Sequence, residues 1–91
     1  MKKETLDILD IDQKATVVSI DAESPIYRRM LDLGFVKGTV VECVGKSPSG
    51  DPAAYLVRGA VIAIRRENAR KIYIDVEEEI ELLQGREERW D

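Results

Sequence analysis

Two glycines, Gly34 and Gly38, separate a short amphipathic segment from a run of strand-forming residues. If Gly34 adopts the left-handed conformation, it ends a helix sharply and brings Phe35 against Met30 across a Schellman turn. Lys37 and Gly38 fit the central positions of a type II turn, because glycine accepts the positive φ that the second position requires. The chain is therefore expected to leave a helix, reverse and enter a β-strand within a few residues.

The segment before the first glycine has the spacing of an amphipathic helix. Ser24 is placed to cap the first free amides, and Pro25 suits the first helical position because it has no N–H. Apolar residues recur at i, i+4 and i+7: Ile26, Met30 and Leu33. The sequence thus predicts one helix over residues 24–33. A phosphate-binding glycine loop would follow a strand and open a helix, so this order of elements argues against nucleotide binding.

Five other segments are rich in branched and aromatic residues and are bounded by turn residues, which is typical of short β-strands. The predicted strands cover residues 14–20, 39–46, 53–58, 60–66 and 71–75. A loop at 47–52 joins two strands as a hairpin, and Gly59 permits the next tight turn. Residues 6–11 predict a turn or a single helical turn, and residues 67–69 predict another. This order favours a mainly β fold, a small five-stranded barrel with one inserted α-helix.

The size and charge of the chain exclude several classes of function. A domain of 91 residues buries only about 60 to 65% of its unfolded surface, so a deep active-site cleft is not expected. The net charge of −4, from 14 basic and 18 acidic residues, argues against a protein that binds nucleic acid by neutralising phosphates. No aromatic residues alternate with the arginines to form a stacking platform, so no nucleic-acid partner is predicted.

Five arginines form the main charged constellation of the sequence: Arg28, Arg29, Arg65, Arg66 and Arg70. Two interpretations remain open. The arginines either converge into one basic face of the barrel or pair separately with Asp32, Glu67 or Asp75, in which case each pair contributes little.

The residues available for chemistry are few. The chain has no histidine, which removes the commonest general base and the commonest transition-metal ligand. Cys43 is the only cysteine, lies in a predicted strand and is interpreted as a small core residue of a cytoplasmic protein, with a reactive thiol as the alternative. No two ligand residues have the spacing of a metal motif. The sequence therefore predicts no enzyme, no catalytic residue, no cofactor and no metal site.

Neither an export signal nor a membrane span is predicted. Lys2 and Lys3 resemble the start of a signal peptide, but no apolar segment follows them. The longest apolar runs, at 53–57 and 60–64, have five residues each, against about 20 needed to cross a bilayer. These features favour a soluble protein.

Residues 28–74 resemble the FeoA family, and the match extends over about residues 6–76. The signature residues occur in the order and spacing of the family: Leu33-Gly34, Gly38-Thr39, Ser47-Pro48, Gly50-Asp51-Pro52, Gly59, Arg65 and Ala69. The sequence departs from the family at two places. Lys37 stands where the family usually has proline, and Asp12-Gln13 stands where a glycine usually precedes the first strand. Neither departure removes a catalytic group.

The resemblance implies an SH3-like barrel over residues 1–76. It also implies a small cytoplasmic accessory protein of ferrous iron uptake, which binds and modulates the cytoplasmic part of a FeoB-type GTPase permease and reaches the inner membrane through it. The alternative is a free-standing regulatory or ligand-sensing barrel, because a related barrel forms the C-terminal domain of DtxR-type iron-dependent repressors. No helix-turn-helix is recognised in the sequence, which favours the accessory protein.

A helix face and a hairpin loop are the parts of such a barrel that its packing leaves free. The predicted partner contacts are Tyr27, Arg28 and Arg29 on the helix and Ser47, Pro48, Gly50, Asp51 and Pro52 in the loop. Gly34, Gly38 and Gly59 are predicted to shape turns.

Residues 77–91 form an acidic C-terminal extension. Val76, Ile80 and Leu83 recur at helical spacing, so the extension is predicted to form either a short helix that packs on the barrel or on a second copy, or a frayed end. A packed helix would allow a homo-oligomer. The cluster of Glu77, Glu78, Glu79 and Glu81 is interpreted as a solvated first turn, with weak attraction of divalent ions as the alternative.

Overall fold

The computed structural model describes residues 4–76 of the chain. These residues form six strands, two α-helices and one 3₁₀ turn: β1 (Glu4–Thr5), the 3₁₀ turn (Leu6–Ile8), β2 (Lys14–Ile20), α1 (Tyr27–Leu33), β3 (Val40–Lys46), β4 (Ala53–Val57), β5 (Ala60–Ile64), α2 (Arg66–Ala69) and β6 (Ile72–Val76). The acidic extension at 77–91, with its predicted helix, lies outside the described residues.

All six strands belong to one antiparallel sheet in the order β1-β6-β2-β3-β4-β5. The predictions of a mainly β fold and of an SH3-like barrel with one inserted helix are confirmed. Strand β1 is an addition to the five predicted strands. Its two residues, Glu4 and Thr5, pair with Ile74 and Tyr73 of β6, and a segment this short has no periodicity that sequence reasoning could detect.

Two bulges bend the sheet. In β2, Ala15 and Val17 point into the core, and the register then shifts by one residue before Ser19. Because of this shift Ile20, and not Ser19, is the next buried residue of the strand. A second shift lies in β3 between Cys43 and Gly45. Bulges increase the local twist, so the sheet can curve around a single core.

Helix α1 begins at Tyr27, three residues after the predicted cap at Ser24. The hydroxyl of Ser24 accepts a hydrogen bond from the amide of Ile26 at 3.3 Å, and its carbonyl accepts one from the amide of Tyr27 at 3.0 Å. A serine that bonds to the amide two residues further on holds the backbone in a turn, which competes with helix formation. The prediction that Ser24 caps the helix is therefore wrong, and residues 24–26 form the turn that leads into it.

Helix α1 ends in a Schellman motif. Gly34 has a φ of 113°, and its amide donates to the carbonyl of Leu31 at 3.0 Å. The amide of Phe35 donates to the carbonyl of Met30 at 3.0 Å, which is the second bond of the motif. Phe35 and Met30 are both buried. The end of the helix is thus fixed by backbone bonds and by the burial of these two side chains in the same core.

The next two reversals also depend on positive φ. Gly38 has a φ of 92°, and the amide of Thr39 donates to the carbonyl of Val36 at 3.0 Å, as in a type II turn. Arg58 and Gly59 have φ values of 52° and 84° and join β4 directly to β5. Two consecutive positive φ values are the geometry of a type I′ hairpin loop, whose twist matches that of the strands.

Candidate partner-binding surface

The three candidate contact residues on the helix lie at its first turn. Arg28 and Arg29 are exposed, whereas Tyr27 is half-buried and packs against the core. The two guanidinium groups are therefore available to a partner, and Tyr27 offers only part of its ring.

The loop between β3 and β4 is held by its own hydrogen bonds. The amide of Ser47 donates to the carbonyl of Pro52 at 3.0 Å, and the amide of Gly50 donates to the carbonyl of Ser47 at 2.8 Å. Pro48 and Ser49 are exposed, and the other loop residues are half-buried. The tip of the loop thus presents a proline and a serine on a closed backbone.

Asp51 connects this loop to α2. Its Oδ1 accepts a hydrogen bond from the amide of Arg66, the first residue of α2, at 2.8 Å. A carboxylate at the first amide of a helix satisfies a donor that has no partner within the helix. Asp51 was selected from the sequence as a partner contact, and the structure gives it a bond that fixes the position of the loop.

A groove separates α1 from β5, with a volume of about 330 Å³. Arg29 and Leu33 line its helix side, Ile62 and Ile64 line its strand side, and Arg65 and Asn68 line its end. Sequence reasoning missed this groove, because its two walls lie about thirty residues apart in the chain. The available signal was the uncharged run AVIAI between Arg58 and Arg65.

The groove lies next to the loop. Ile64 also lines a small cavity of about 30 Å³, together with Gly50, Asp51 and Arg66. The short segment from Ile64 to Arg66 therefore stands between the helix and the loop. Arg29 of the helix set, and Gly50 and Asp51 of the loop set, thus line two cavities that share Ile64.

The arginines are divided between these features. Arg29 and Arg65 line the groove, and Arg66 lines the cavity beside the loop. Arg70 lies 3.9 Å from Asp7, a carboxylate that sequence reasoning did not select. Among residues 4–76, none of the arginines lies within 4.0 Å of its predicted partner at Asp32, Glu67 or Asp75. The groove thus gathers two of the five arginines, while Arg70 pairs with the half-buried Asp7.

Among residues 4–76, two titratable side chains are buried in the core, Cys43 and Tyr55. Burial raises the pKa of the Cys43 thiol, whose Sγ donates to the carbonyl of Gly45 at 3.7 Å. Burial also raises the pKa of Tyr55 to about 12, and its hydroxyl donates to the carbonyl of Leu6 at 3.4 Å. Removal from water disfavours the charged form of each group, so both stay neutral at physiological pH. Cys43 occupies the core position expected from the sequence.

Within residues 4–76, no three acidic, cysteine or histidine side chains come close enough together to hold a metal ion. In the same part of the chain, no helix is both long and apolar enough to cross a membrane. The acidic cluster at 77–81 lies outside the described residues.

The fold defines a small SH3-like barrel domain with a helix inserted after its second strand. Comparison with known protein families identifies the FeoA domain over residues 4–76. The chain belongs to the FeoA domain family.

Two solved structures illustrate the similarity. The FeoA-like protein from Clostridium acetobutylicum superimposes with a TM-score of 0.81 at 35% sequence identity, over 87% of this chain and 92% of that chain. FeoA of Stenotrophomonas maltophilia, solved in complex with zinc and described as a prokaryotic SH3 domain protein, gives a TM-score of 0.71 at 36% identity. That match covers 78% of this chain and 88% of the Stenotrophomonas protein.

A curated relative joins this domain to a transporter. The Fe(2+) transport protein A/Fe(2+) transporter FeoB fusion protein of Porphyromonas gingivalis is 30% identical over 68 residues. Those residues make up 75% of this chain and 8% of the fusion protein. The chain thus corresponds to a small part of that relative.

The barrel also occurs in a regulator. A manganese-dependent transcriptional repressor superimposes with a TM-score of 0.75 at 14% identity, over 85% of this chain and 38% of the repressor. At this level of identity the similarity shows the fold alone.

Proposed function

We propose that this protein is a cytoplasmic accessory component of ferrous iron uptake, and that it binds and modulates the cytoplasmic part of a FeoB-type GTPase permease. The observation that carries the proposal is the Porphyromonas fusion, in which a relative of this domain and an Fe(2+) transporter are one polypeptide. Two domains that nature joins in one chain are good candidates to act together when they are separate. Membership of the FeoA domain family over residues 4–76 supports the same role.

The proposed contact surface consists of the start of α1 and the hairpin loop: Tyr27, Arg28, Arg29, Ser47, Pro48, Gly50, Asp51 and Pro52. Exposure favours Arg28, Arg29 and Pro48 within this set. Arg29 of the helix and Asp51 of the loop line cavities that share Ile64, which supports a single partner surface that touches both parts. The interface is expected to be small and regulated, in the class below about 1,200 Å².

The second candidate function is a regulatory or ligand-sensing barrel related to repressor domains. It is supported by the superposition on the manganese-dependent repressor, which rests on fold alone. The accessory role has the stronger support, because family membership and the transporter fusion both favour it.

The test uses two assays on the full chain. The protein is titrated against the FeoB-type transporter of the same organism in its GTP-bound and GDP-bound states, and ferrous iron uptake is measured in cells that lack the protein. We expect binding that differs between the two nucleotide states and reduced uptake in the deletion strain. Absence of binding in both states, together with normal uptake, would favour the sensing domain instead.

A further inference from the structure

Among residues 4–76, strand β5 lies at the edge of the sheet and lacks the usual protection of an edge. Its only neighbour among the described strands is β4. The strand reads AVIAI, without a charge or a proline, and Val61 has 64% of its surface exposed. Natural proteins normally protect such edges with lysine, proline or a bulge, because unpaired backbone groups and apolar side chains there attract another strand.

The register shows which backbone groups are unpaired. Val57 and Ala60 flank the two-residue loop and form a hydrogen-bonded pair, so Ala60, Ile62 and Ile64 direct their N–H and C=O groups toward β4. Val61 and Ala63 then direct theirs toward the open edge. Within residues 4–76, neither residue has a backbone hydrogen bond outside the β4–β5 ladder. The edge thus offers two donors and two acceptors at the spacing of a strand.

Positive charge stands at both ends of this edge. Arg58 precedes β5 and Arg65 follows it, and Arg29 faces the strand from across the groove. The groove wall contains no carboxylate among its described residues. Electrostatic complementarity therefore favours a segment that carries acidic residues at its ends.

We propose that β5 is a docking site for an extended segment of a partner protein, with an apolar middle and acidic ends, which adds a strand to the sheet. Main-chain hydrogen bonds to Val61 and Ala63 would supply the affinity, as in other cases of strand addition. Alternate apolar side chains of the segment would enter the groove beside Ile62 and Leu33. Its terminal carboxylates would meet Arg65 and Arg58.

A second copy of this chain fits the edge poorly. Antiparallel pairing of two β5 strands about Ile62 would bring the Arg58 end of one copy close to Arg65 and Arg66, just beyond the other end of the second copy's strand. Like charges brought close together repel each other and disfavour this pairing. An acidic partner segment avoids this repulsion and gains attraction at both ends.

Docking of a strand at β5 does not require the transporter to be the partner. If the transporter does not bind in the titration, the peptide experiment still tests the site at β5. If the peptides do not bind, the transporter titration still tests the proposed function.

The test uses acetylated synthetic peptides and the isotope-labelled full chain. The probe is EVTVTVE, in which an alternating apolar segment lies between two glutamates. KVTVTVK tests the charge requirement, and EVTPTVE tests the backbone requirement because proline removes a donor and disfavours a central strand position. We expect EVTVTVE to shift the amide resonances of Val61 and Ala63 and to slow their hydrogen exchange, with at least tenfold weaker binding of both controls.

Substitutions in the protein test the same contacts from the other side. Ala63→Pro removes the outward amide and should abolish binding, whereas the matched Ala63→Thr keeps that amide and should retain it. If Ala63→Pro does not fold, the double variant Arg29→Glu and Arg65→Glu, at two exposed positions, still tests the charge requirement. This double variant should reverse the preference, so that KVTVTVK binds more tightly than EVTVTVE.

Several results would overturn the assignment. These are absence of EVTVTVE binding at about 1 mM, equal affinity for both charged peptides, or shifts confined to residues away from β5. Protection of the Val61 and Ala63 amides without peptide would also exclude an external partner segment. In that case, protection that increases with protein concentration would assign the edge to a second copy. Protection that is independent of concentration would assign it to the segment of this chain beyond Val76.

Discussion

Gly34, at the end of α1, packs directly against the side chain of Arg58 in the loop between β4 and β5. A Cβ atom added to Gly34 would lie 2.9 Å from Cδ of Arg58 and 3.1 Å from Cγ1 of Val57. The glycine thus serves two purposes at one position. It supplies the positive φ that ends the helix, and it leaves room for the hairpin that follows almost twenty-five residues later.

Replacement of Gly34 tests both purposes. Gly34→Val should lower the free energy of unfolding by about 1 to 3 kcal/mol through the positive φ alone, with an added cost from the contacts with Arg58 and Val57. Thermal and urea unfolding measure the loss. The matched control is Gly38→Ala, because Gly38 also has a positive φ but has no atom within 4 Å of an added Cβ. A Gly34→Ala variant as stable as Gly38→Ala would show that the contact with the hairpin costs nothing.

The contact with Arg58 can be isolated by a double-mutant cycle. Gly34→Ala should cost less in an Arg58→Ala background, because the atom nearest to the new methyl group, Cδ of Arg58, is then absent. We expect the two changes to be non-additive by more than about 0.5 kcal/mol, which is the usual limit for independent sites. Chemical denaturation of the two single variants and the double variant measures this coupling. Strict additivity would mean that the arginine side chain simply moves aside.

The features of this fold that could be predicted from the sequence are determined by short stretches of chain. Segments rich in branched residues, bounded by glycines and prolines, were sufficient to predict a small mainly β barrel, whereas its SH3-like class followed from the resemblance to the FeoA family. The start of α1 was placed too early, because Ser24 can bond either to a helix end or within a turn, and its spacing alone does not distinguish these choices.

The features that sequence reasoning missed depend on contacts between distant residues. Strand β1 forms only because two residues meet β6 near the other end of the described chain. The groove exists because α1 lies beside β5, and no local pattern in either element predicts that arrangement. The positive φ of Arg58 was not predicted, because Gly59 at the next position was sufficient to explain a tight turn.

Alkaline pH should destabilise the fold through Tyr55. Its pKa rises from 10.0 to about 12 in the folded state because of burial, so the stability contributed by its neutral form is fully present below pH 10. Between pH 10 and 12 the unfolded state loses the proton first, and the free energy of unfolding should fall by about 2 to 3 kcal/mol. Urea unfolding at a series of pH values measures the decline.

Tyr55→Phe is the control for this decline. It removes the ionisable hydroxyl, with the hydrogen bond to Leu6, and should flatten the stability profile between pH 10 and 12. A smaller decline should remain, because burial also raises the pKa of Cys43 above 9.0, and its neutral form is likewise lost as pH rises. An unchanged slope in Tyr55→Phe would mean that the tyrosine is not the group responsible.

Asp51 should stabilise the domain by holding the loop to α2. Asp51→Ala removes the acceptor of the Arg66 amide and should cost about 0.5 to 2 kcal/mol, the usual range for a lost helix cap. Asp51→Asn keeps a side-chain oxygen at the same place and should cost less. Unfolding free energies of the two variants test this order, and faster hydrogen exchange at Arg66 in Asp51→Ala alone would locate the effect. Equal losses in both variants would point to the charge instead of the bond.

The arginines of α1 provide the sharpest test of the proposed transporter contact. Arg28 and Arg29 are exposed at the start of the helix, so reversing their charge should leave the barrel folded and weaken binding to the FeoB-type transporter by at least tenfold. Exposed charges are screened by ions, so binding of the unaltered protein should also weaken as the salt concentration rises from about 0.05 to 0.5 M. The double variant Arg28→Glu and Arg29→Glu should lose much of that salt dependence.

Lys37→Glu is the matched control, since Lys37 is an exposed cation in the turn after the helix and lies outside the proposed surface. Equal weakening by Lys37→Glu would indicate a general effect of net charge, and unchanged binding in the double variant would remove the helix from the contact surface.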